Sequence, residues 1–194
     1  MKDVIELYND EYCEKNKHKK WRYSVVPELV GILFDHFKPE SVIDFGCANG
    51  LHIASFKALG SECFGIEGTL SYRKYISENY DGDFAIIDMR CDFDLCKKFE
   101  LATCIEVLEH LEINYADIAV ENIVRHSDIL CITASPTVTA NFHINAQPKN
   151  YWIHKFENTG VVYQKKETED LQNIFRANGK MPIWMKNDLM IFRR

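Results

Sequence analysis

Short apolar runs alternate with longer amphipathic stretches along most of this chain. Residues 42–45, 63–66, 84–87, 101–105 and 129–133 are short and apolar, and they read as strands. Between them, residues 51–59, 70–78 and 115–125 space their apolar positions as helices do; Ile118, Ile123 and Val124 supply the apolar face of the last. Such alternation implies an α/β fold, a parallel sheet with helices on both faces. Ahead of it, residues 27–37 read as an amphipathic helix with Pro27 in its first turn, stopped by Pro39. Behind it, residues 151–157 and 168–176 read as helices, and 161–163 and 189–192 as strands. The whole is a mostly parallel seven-stranded sheet, closed in one arrangement by an antiparallel pair.

No repeat or Pro/Gly/Ser linker divides the sequence, and 194 residues with 46% hydrophobic side chains supply one sizeable core. The expectation is a single domain over 1–194, with a helical N-terminal lid at 1–38 and the sheet-bearing core at 40–194. A net charge of −6 gives no global basic field for non-specific nucleic-acid binding. Seven cysteines without a Cys-x-x-Cys pair read as reduced structural thiols. The first residues carry charges where a signal peptide would be apolar, and no later run approaches a membrane span. These features point to a cytoplasmic protein.

The candidate chemistry lies at the strand ends. The first strand runs into Asp44-Phe45-Gly46-Cys47-Ala48-Asn49-Gly50, where small residues let the backbone turn sharply and approach a ligand. A dinucleotide fingerprint wants its third small residue at position 51, which is Leu51. Asp44 adds a carboxylate that would repel a pyrophosphate but favours a cofactor bearing an ammonium and a sulfonium. Glu67, 23 residues beyond Asp44, falls where a ribose-binding carboxylate follows such a loop, with Gly68 next to it. At the third strand's end, Asp88 can accept from an adenine amino group while Met89 packs on the ring. An acid after a strand is often only a helix cap or a solvated loop residue. Acids at three successive strand ends beside a small-residue loop are harder to assign to chance, because ligands of open α/β sheets bind along that edge.

The segment VIDFGCANG resembles the first motif of class I, Rossmann-like S-adenosylmethionine-dependent methyltransferases, FGIEGT the second, and FELATCIEVLEHLE the fourth strand and its following loop. SDILCITASP and HINAQPKNYWIHKF are similar to methyltransferase-domain proteins associated with natural-product or surface-glycan modification. The likeness spans about residues 40–163. It implies S-adenosyl-L-methionine as cofactor, with S-adenosyl-L-homocysteine as product. The implied cofactor-binding residues are Asp44, Gly46, Cys47, Ala48, Gly50, Glu67, Gly68, Asp88, Met89, Ile105 and Glu106. Ala48 departs from the glycine usual at its position.

Transfer from a sulfonium is an in-line displacement, so the acceptor side must mainly orient a nucleophile, helped by a base where a proton leaves early. Glu106, Glu109 and His110 follow the fourth strand; in a helix they lie on neighbouring faces, as a base with His110 or as an oxygen/nitrogen metal cluster. The plainer reading gives Glu106 to the cofactor and leaves the others structural. After the fifth strand come Pro136, Asn141, His143, Asn145 and Gln147, a polar loop suited to an acceptor wall, with His143 as the contact residue. Trp152 and Phe156, four apart, read as core. Lys15, Lys17, His18, Lys19, Lys20 and Arg22, interleaved with Tyr12, Trp21 and Tyr23, form a lid, a lure for an anionic acceptor, or simply a solvated helix face.

Three functions follow. The first is O-methylation of a small molecule or glycan, with His143 and His110 as catalytic candidates and no metal. The second is metal-dependent 2′-O-methylation of an RNA 3′ end, since Glu106, Glu109 and His110 resemble that family's metal-binding Glu-x-x-Glu-His, with His143 or His154 as a fourth ligand. The third is a non-catalytic binding protein on the same fold.

Overall fold

The computed structural model describes residues 8–16, 20–138 and 142–194. Lys17, His18, Lys19 and Asn141 lie outside the described residues, as do the side chains of Lys20, Trp21 and Arg22. The sheet has seven strands in the order β3-β2-β1-β4-β5-β7-β6, and contacts divide the chain into two compact units, Met1–Asp88 and Met89–Arg194. Among the described residues no helix is long and apolar enough to cross a membrane.

The first unit contains helices α1 (Asp10–Asn16) and α2 (Lys20–Phe37), then β1 (Ser41–Phe45), α3 (Leu51–Ala58) and β2 (Glu62–Glu67). A 3-10 turn at Leu70–Tyr72, α4 (Arg73–Asn79) and β3 (Asp83–Ile86) complete it. Strand β2 pairs in parallel with β1 on one side and β3 on the other. A strand covered on both faces must be apolar nearly throughout, and Val42, Ile43 and Phe45 are fully buried. Against them packs α3, with Ile53 and Phe56 buried, and Ile76 of α4 is buried beside Gly50.

Helix α2 begins at Lys20, seven residues earlier than its proline suggests, so Pro27 sits inside the helix rather than in its first turn. The proline removes one helix hydrogen bond, normally donated to the carbonyl of Tyr23. Tyr23 is exposed, so water can take that carbonyl, while Val26, Leu29, Val30 and Leu33 bury the other face at helical spacing. The helix ends where Lys38 turns left-handed at φ 49° and its amide returns to Phe34 O, just before Pro39.

The second unit contains β4 (Leu101–Ile105), 3-10 turns at Leu108–His110 and Ile113–Tyr115, α5 (Ala116–His126) and β5 (Ile129–Thr133). Then come α6 (Lys149–Glu157), β6 (Val162–Tyr163), α7 (Lys165–Ala177), α8 (Ile183–Asn187) and β7 (Met190–Arg193). Strands β4 and β5 are parallel, and β7 runs antiparallel to both β5 and β6. Helix α5 buries Ala119, Val120, Ile123 and Val124 on one face. Two polar residues on the same helix fasten the irregular segment ahead of β4. The Asn122 amide donates to Met89 O at 3.1 Å and Cys91 O at 2.8 Å, and the Leu95 amide donates to His126 Nε2 at 3.0 Å. Helices α6 and α7 start earlier than their apolar spacing indicates, because their first residues are polar and add no periodic signal. Helix α8 was not expected from the sequence; it spans five residues, with Pro182 as its start signal.

Candidate functional site

In the first unit, the chain leaving β1 turns through three left-handed positions, Gly46 at φ 75°, Ala48 at φ 48° and Gly50 at φ 78°. Glycine adopts this region freely, whereas Ala48 holds it at a steric cost. The Ala48 position is held by a hydrogen bond, its amide donating to Glu67 Oε2 at 2.9 Å. The Thr69 amide donates to Glu67 Oε1, also at 2.9 Å. Glu67 at the end of β2 therefore joins the loop after β1 to the loop after its own strand. Its carboxyl is buried, and burial pushes its pKa up to about 7 against the opposing pull of the two amides. A carboxylate offers about four lone-pair directions. The amides take two and the Thr69 hydroxyl a third, which leaves acceptor capacity for a ribose hydroxyl.

Asp44 is buried in β1, with Oδ2 3.6 Å from His52 Nδ1 of α3, a neighbour without any motif to mark it. Cys47 is buried beneath the loop, its thiol raised well above the usual range by burial. A Cβ on Gly65 would come within 2.8 Å of its sulfur, so the glycine of β2 is required for this packing. Gly68 follows Glu67 with open space where a side chain would stand. Asp88, half-buried, lies two residues beyond β3.

In the second unit, Met89 is buried, and Ile105 at the end of β4 is half-buried. Glu106 follows with φ 56°, an unusual conformation for a side chain of its size. Thr133 at the end of β5 holds it there. The Glu106 amide donates to Thr133 Oγ1 at 3.0 Å, and the threonine hydroxyl donates to Glu106 Oε1 at 2.9 Å. This sharp bend corrects the helical expectation for Glu106 through His110: the chain makes only a 3-10 turn at Leu108–His110.

That turn buries Glu109 completely, and neither carboxylate oxygen completes a hydrogen bond among the described residues. The Ser135 main chain and the Glu106 carboxyl still influence its ionisation. Burial pushes both carboxyls up, Glu109 further because Glu106 stands beside it. His110 Nδ1 lies 3.1 Å from Phe142 O, and His143 Nδ1 lies 2.8 Å from Thr137 O. The two rings meet edge to face with centroids 4.7 Å apart, and His143 Nε2 is 3.9 Å from Glu109 Oε1. Burial, then the neighbouring His143, pushes the His110 pKa down to about 4, which leaves it uncharged and weakly basic at neutral pH.

Glu109, His110 and His143 each place one donor atom within 4.8 Å of the others, a set with metal-ligand chemistry. Glu106 is bonded to Thr133 instead, and His154 is exposed on α6, outside the set. Asn145 is buried beside the cluster with its amide donating to Glu109 O, and Gln147 donates to Asn145 Oδ1 at 3.2 Å. Pro136 is exposed; Trp152 and Phe156 are fully buried core residues, and Tyr151, just before Trp152, is half-buried. Thr133 went unnoticed in the sequence because a threonine ending an apolar strand carries no signal of its own.

No protein-family model matches the chain, and no curated protein matches it by sequence. Solved structures do. A TehB-like SAM-dependent methyltransferase from Corynebacterium glutamicum superimposes with TM-score 0.69 at 14% identity, over 95% of this chain and 97% of that one. The sugar N-methyltransferase KedS8 from Streptoalloteichus gives 0.64 at 15% identity, over 93% and 89%. SAM-bound CalS10, an amino pentose methyltransferase from Micromonospora echinaspora, gives 0.52 at 20% identity over 64% of this chain. The chain spans only 55% of CalS10 and 61% of Streptomyces venezuelae DesVI. The fold of this chain is that of class I, Rossmann-like methyltransferases.

Proposed function

We propose that this chain is an S-adenosylmethionine-dependent methyltransferase that methylates a hydroxyl of a small molecule or glycan. The observation that carries the reading is the Glu67 carboxylate, buried at the end of β2 and held by the amides of Ala48 and Thr69 beside a loop of left-handed small residues. That arrangement fits the ribose of an adenosyl cofactor, with Asp44 and the Gly46–Gly50 turn toward its amino-acid portion and Asp88 toward adenine. When bound, the cofactor supplies an electrophilic methyl carbon on a sulfonium. The chain's own part is to hold the ribose through Glu67 and to orient the acceptor. His143, with Nδ1 directed to Thr137 O, presents Nε2 to take the hydroxyl proton. An amine acceptor needs such a group less than a hydroxyl does, which favours oxygen.

Calorimetric titration with S-adenosylmethionine, S-adenosylhomocysteine and NAD tests the cofactor. Saturable binding of the first two alone is expected, and binding of NAD alone would overturn the reading. A tritiated-methyl transfer screen over glycans, phenols, amines and RNA 3′ ends then tests the acceptor. Transfer to amines only would refute oxygen, and transfer to RNA would replace the small-molecule assignment.

A further inference from the structure

We propose that His126 and the segment from Asp94 to Cys96 form a proton-operated latch in the second unit: the uncharged imidazole is held by the Leu95 amide, and the charged one takes the Asp94 carboxylate in its place. The closed state is fixed by two contacts on one ring. His126 is completely buried at the end of α5. Its Nδ1 lies 2.6 Å from Asn122 O, and a carbonyl oxygen only accepts, so the ring proton stands on Nδ1. Its Nε2 receives the Leu95 amide at 3.0 Å, so that nitrogen carries the lone pair. Both nitrogens are thereby committed to the neutral form. The Phe93 ring covers the imidazole, stacked with 5.3 Å between centroids.

A rival partner already stands beside Nε2. Asp94 Oδ1 is 3.8 Å away, and it accepts from the Cys96 amide at 2.7 Å, which holds Cys96 left-handed at φ 53°. A proton on Nε2 sets one N–H against another and abolishes the Leu95 bond, while the imidazolium attracts the carboxylate. Shortening that gap to the length of a charge-assisted hydrogen bond takes about 1 Å of movement. Asp94 then leaves Cys96, so the Leu95 and Cys96 amides both lose their acceptors as one charged hydrogen bond forms. The other charges near the ring are engaged elsewhere. Arg125 pairs with Asp92 at 2.7 Å and also donates to Phe93 O, while Asp128 is engaged by Lys98 at 2.7 Å and by Arg194 at 3.5 Å. Asn122 does not titrate, and it keeps Met89 O, Cys91 O and the Phe93 amide, so release is confined to residues 94–96. The latch stands independently of the methyltransferase reading.

Amide hydrogen exchange and long-range ¹H–¹⁵N spectra of the full chain test it. Histidine charge ordinarily changes between about pH 5 and 8, so spectra at about pH 7.5 and about pH 5.5 bracket the change. At the higher pH the His126 proton should stand on Nδ1. At the lower, protection of the Leu95 and Cys96 amides, corrected for the intrinsic pH dependence of exchange, should fall roughly tenfold or more, while Phe93 and β4 stay within about twofold. His126→Gln keeps an acceptor near the Nε2 position and takes up no proton, so its Leu95 protection should not vary with pH. Asp94→Asn retains an acceptor for Cys96 and removes the charge; its loss at Cys96 should shrink to about threefold or less. Asp94 is exposed, so that variant keeps the test open where the buried substitution fails to fold. A proton on Nε2 at the higher pH, unchanged Leu95 protection in the wild type, or loss at Leu95 and in β4 together, as in global acid unfolding, would overturn the latch. So would the full loss at Cys96 in Asp94→Asn.

Discussion

With the ribose placed on Glu67 as proposed, cofactor affinity should depend on pH, and the dependence can be worked from the surroundings of that carboxyl. Burial raises its pKa from 4.5 to about 7, so below neutrality the folded protein holds a proton there that the unfolded chain has released. Stability from this group is therefore fully present below pH 4.5 and is lost as pH rises toward 7, by on the order of 3 kcal/mol. Ribose hydroxyls donate to the ionised form, so cofactor binding must first remove that proton. With a group titrating near 7, about one molecule in ten is ionised at pH 6 and about nine in ten at pH 8, which predicts roughly tenfold weaker binding at pH 6. Calorimetry at the two pH values, repeated in buffers of different ionisation enthalpy, should show the tenfold change and nearly one proton released at pH 6. Glu67→Gln removes the titration: its affinity should be lower, since one backbone amide now meets an NH₂ group, and flat with pH. Equal affinity at pH 6 and pH 8 in the wild type, or the same slope in Glu67→Gln, would refute the placement of the ribose on this carboxylate.

Other substitutions test the packing around the site. Ala48→Gly relieves a left-handed alanine at about 1–2 kcal/mol but loosens the unfolded chain by up to about 1 kcal/mol, so a net gain of about 0.5–1 kcal/mol in urea denaturation is expected; a loss would show that the strain is absent. Thr133→Val removes the hydroxyl that both accepts from and donates to Glu106 and should cost about 1–3 kcal/mol together with turnover, whereas Thr133→Ser should retain most of both. Gly82→Ala would set a methyl 2.2 Å from the Tyr80 hydroxyl, which is buried and bonded to Cys63 O. A loss of about 1–3 kcal/mol by thermal denaturation is expected, and an unchanged melting temperature would mean that the ring moves freely. Asn122→Ala frees the segment ahead of β4 from α5, which should appear as faster hydrogen exchange in residues 89–96; unchanged exchange there would show that the two amide bonds are not what fastens it.

The strands were legible because burial on both faces demands apolar runs, and 101–105 and 129–133 coincide with β4 and β5. The positions of Asp44 and Glu67 at strand ends followed from the same runs. Less legible was whatever depends on the path of a loop. The Glu-x-x-Glu-His segment carries helical spacing, but Thr133, 27 residues onward, bends it at Glu106, and the chain makes only a 3-10 turn beyond it. His143 and His154 were equally plausible partners by composition. Only the turn that bonds Asn145 to Glu109 O brings His143 in and leaves His154 out. Pro27 misled for a related reason: a local start signal was overridden by the apolar face that α2 continues to bury on either side of it.

The loop after β1 also decides what it will not bind. Alternating backbone hand from Gly46 to Gly50 makes the kind of concavity whose amides cradle phosphate in other α/β proteins. Here four of the five donors are committed within the protein: Gly46 and Cys47 to Ile66 O, Ala48 to Glu67, and Gly50 to Cys47 O. A nucleotide phosphate arriving at this turn would meet the Glu67 carboxyl at the Ala48 amide and would have to break internal bonds to reach the other three. Poorer binding of ATP and NAD than of an adenosyl cofactor is the outcome expected of a turn whose amides are so largely used internally.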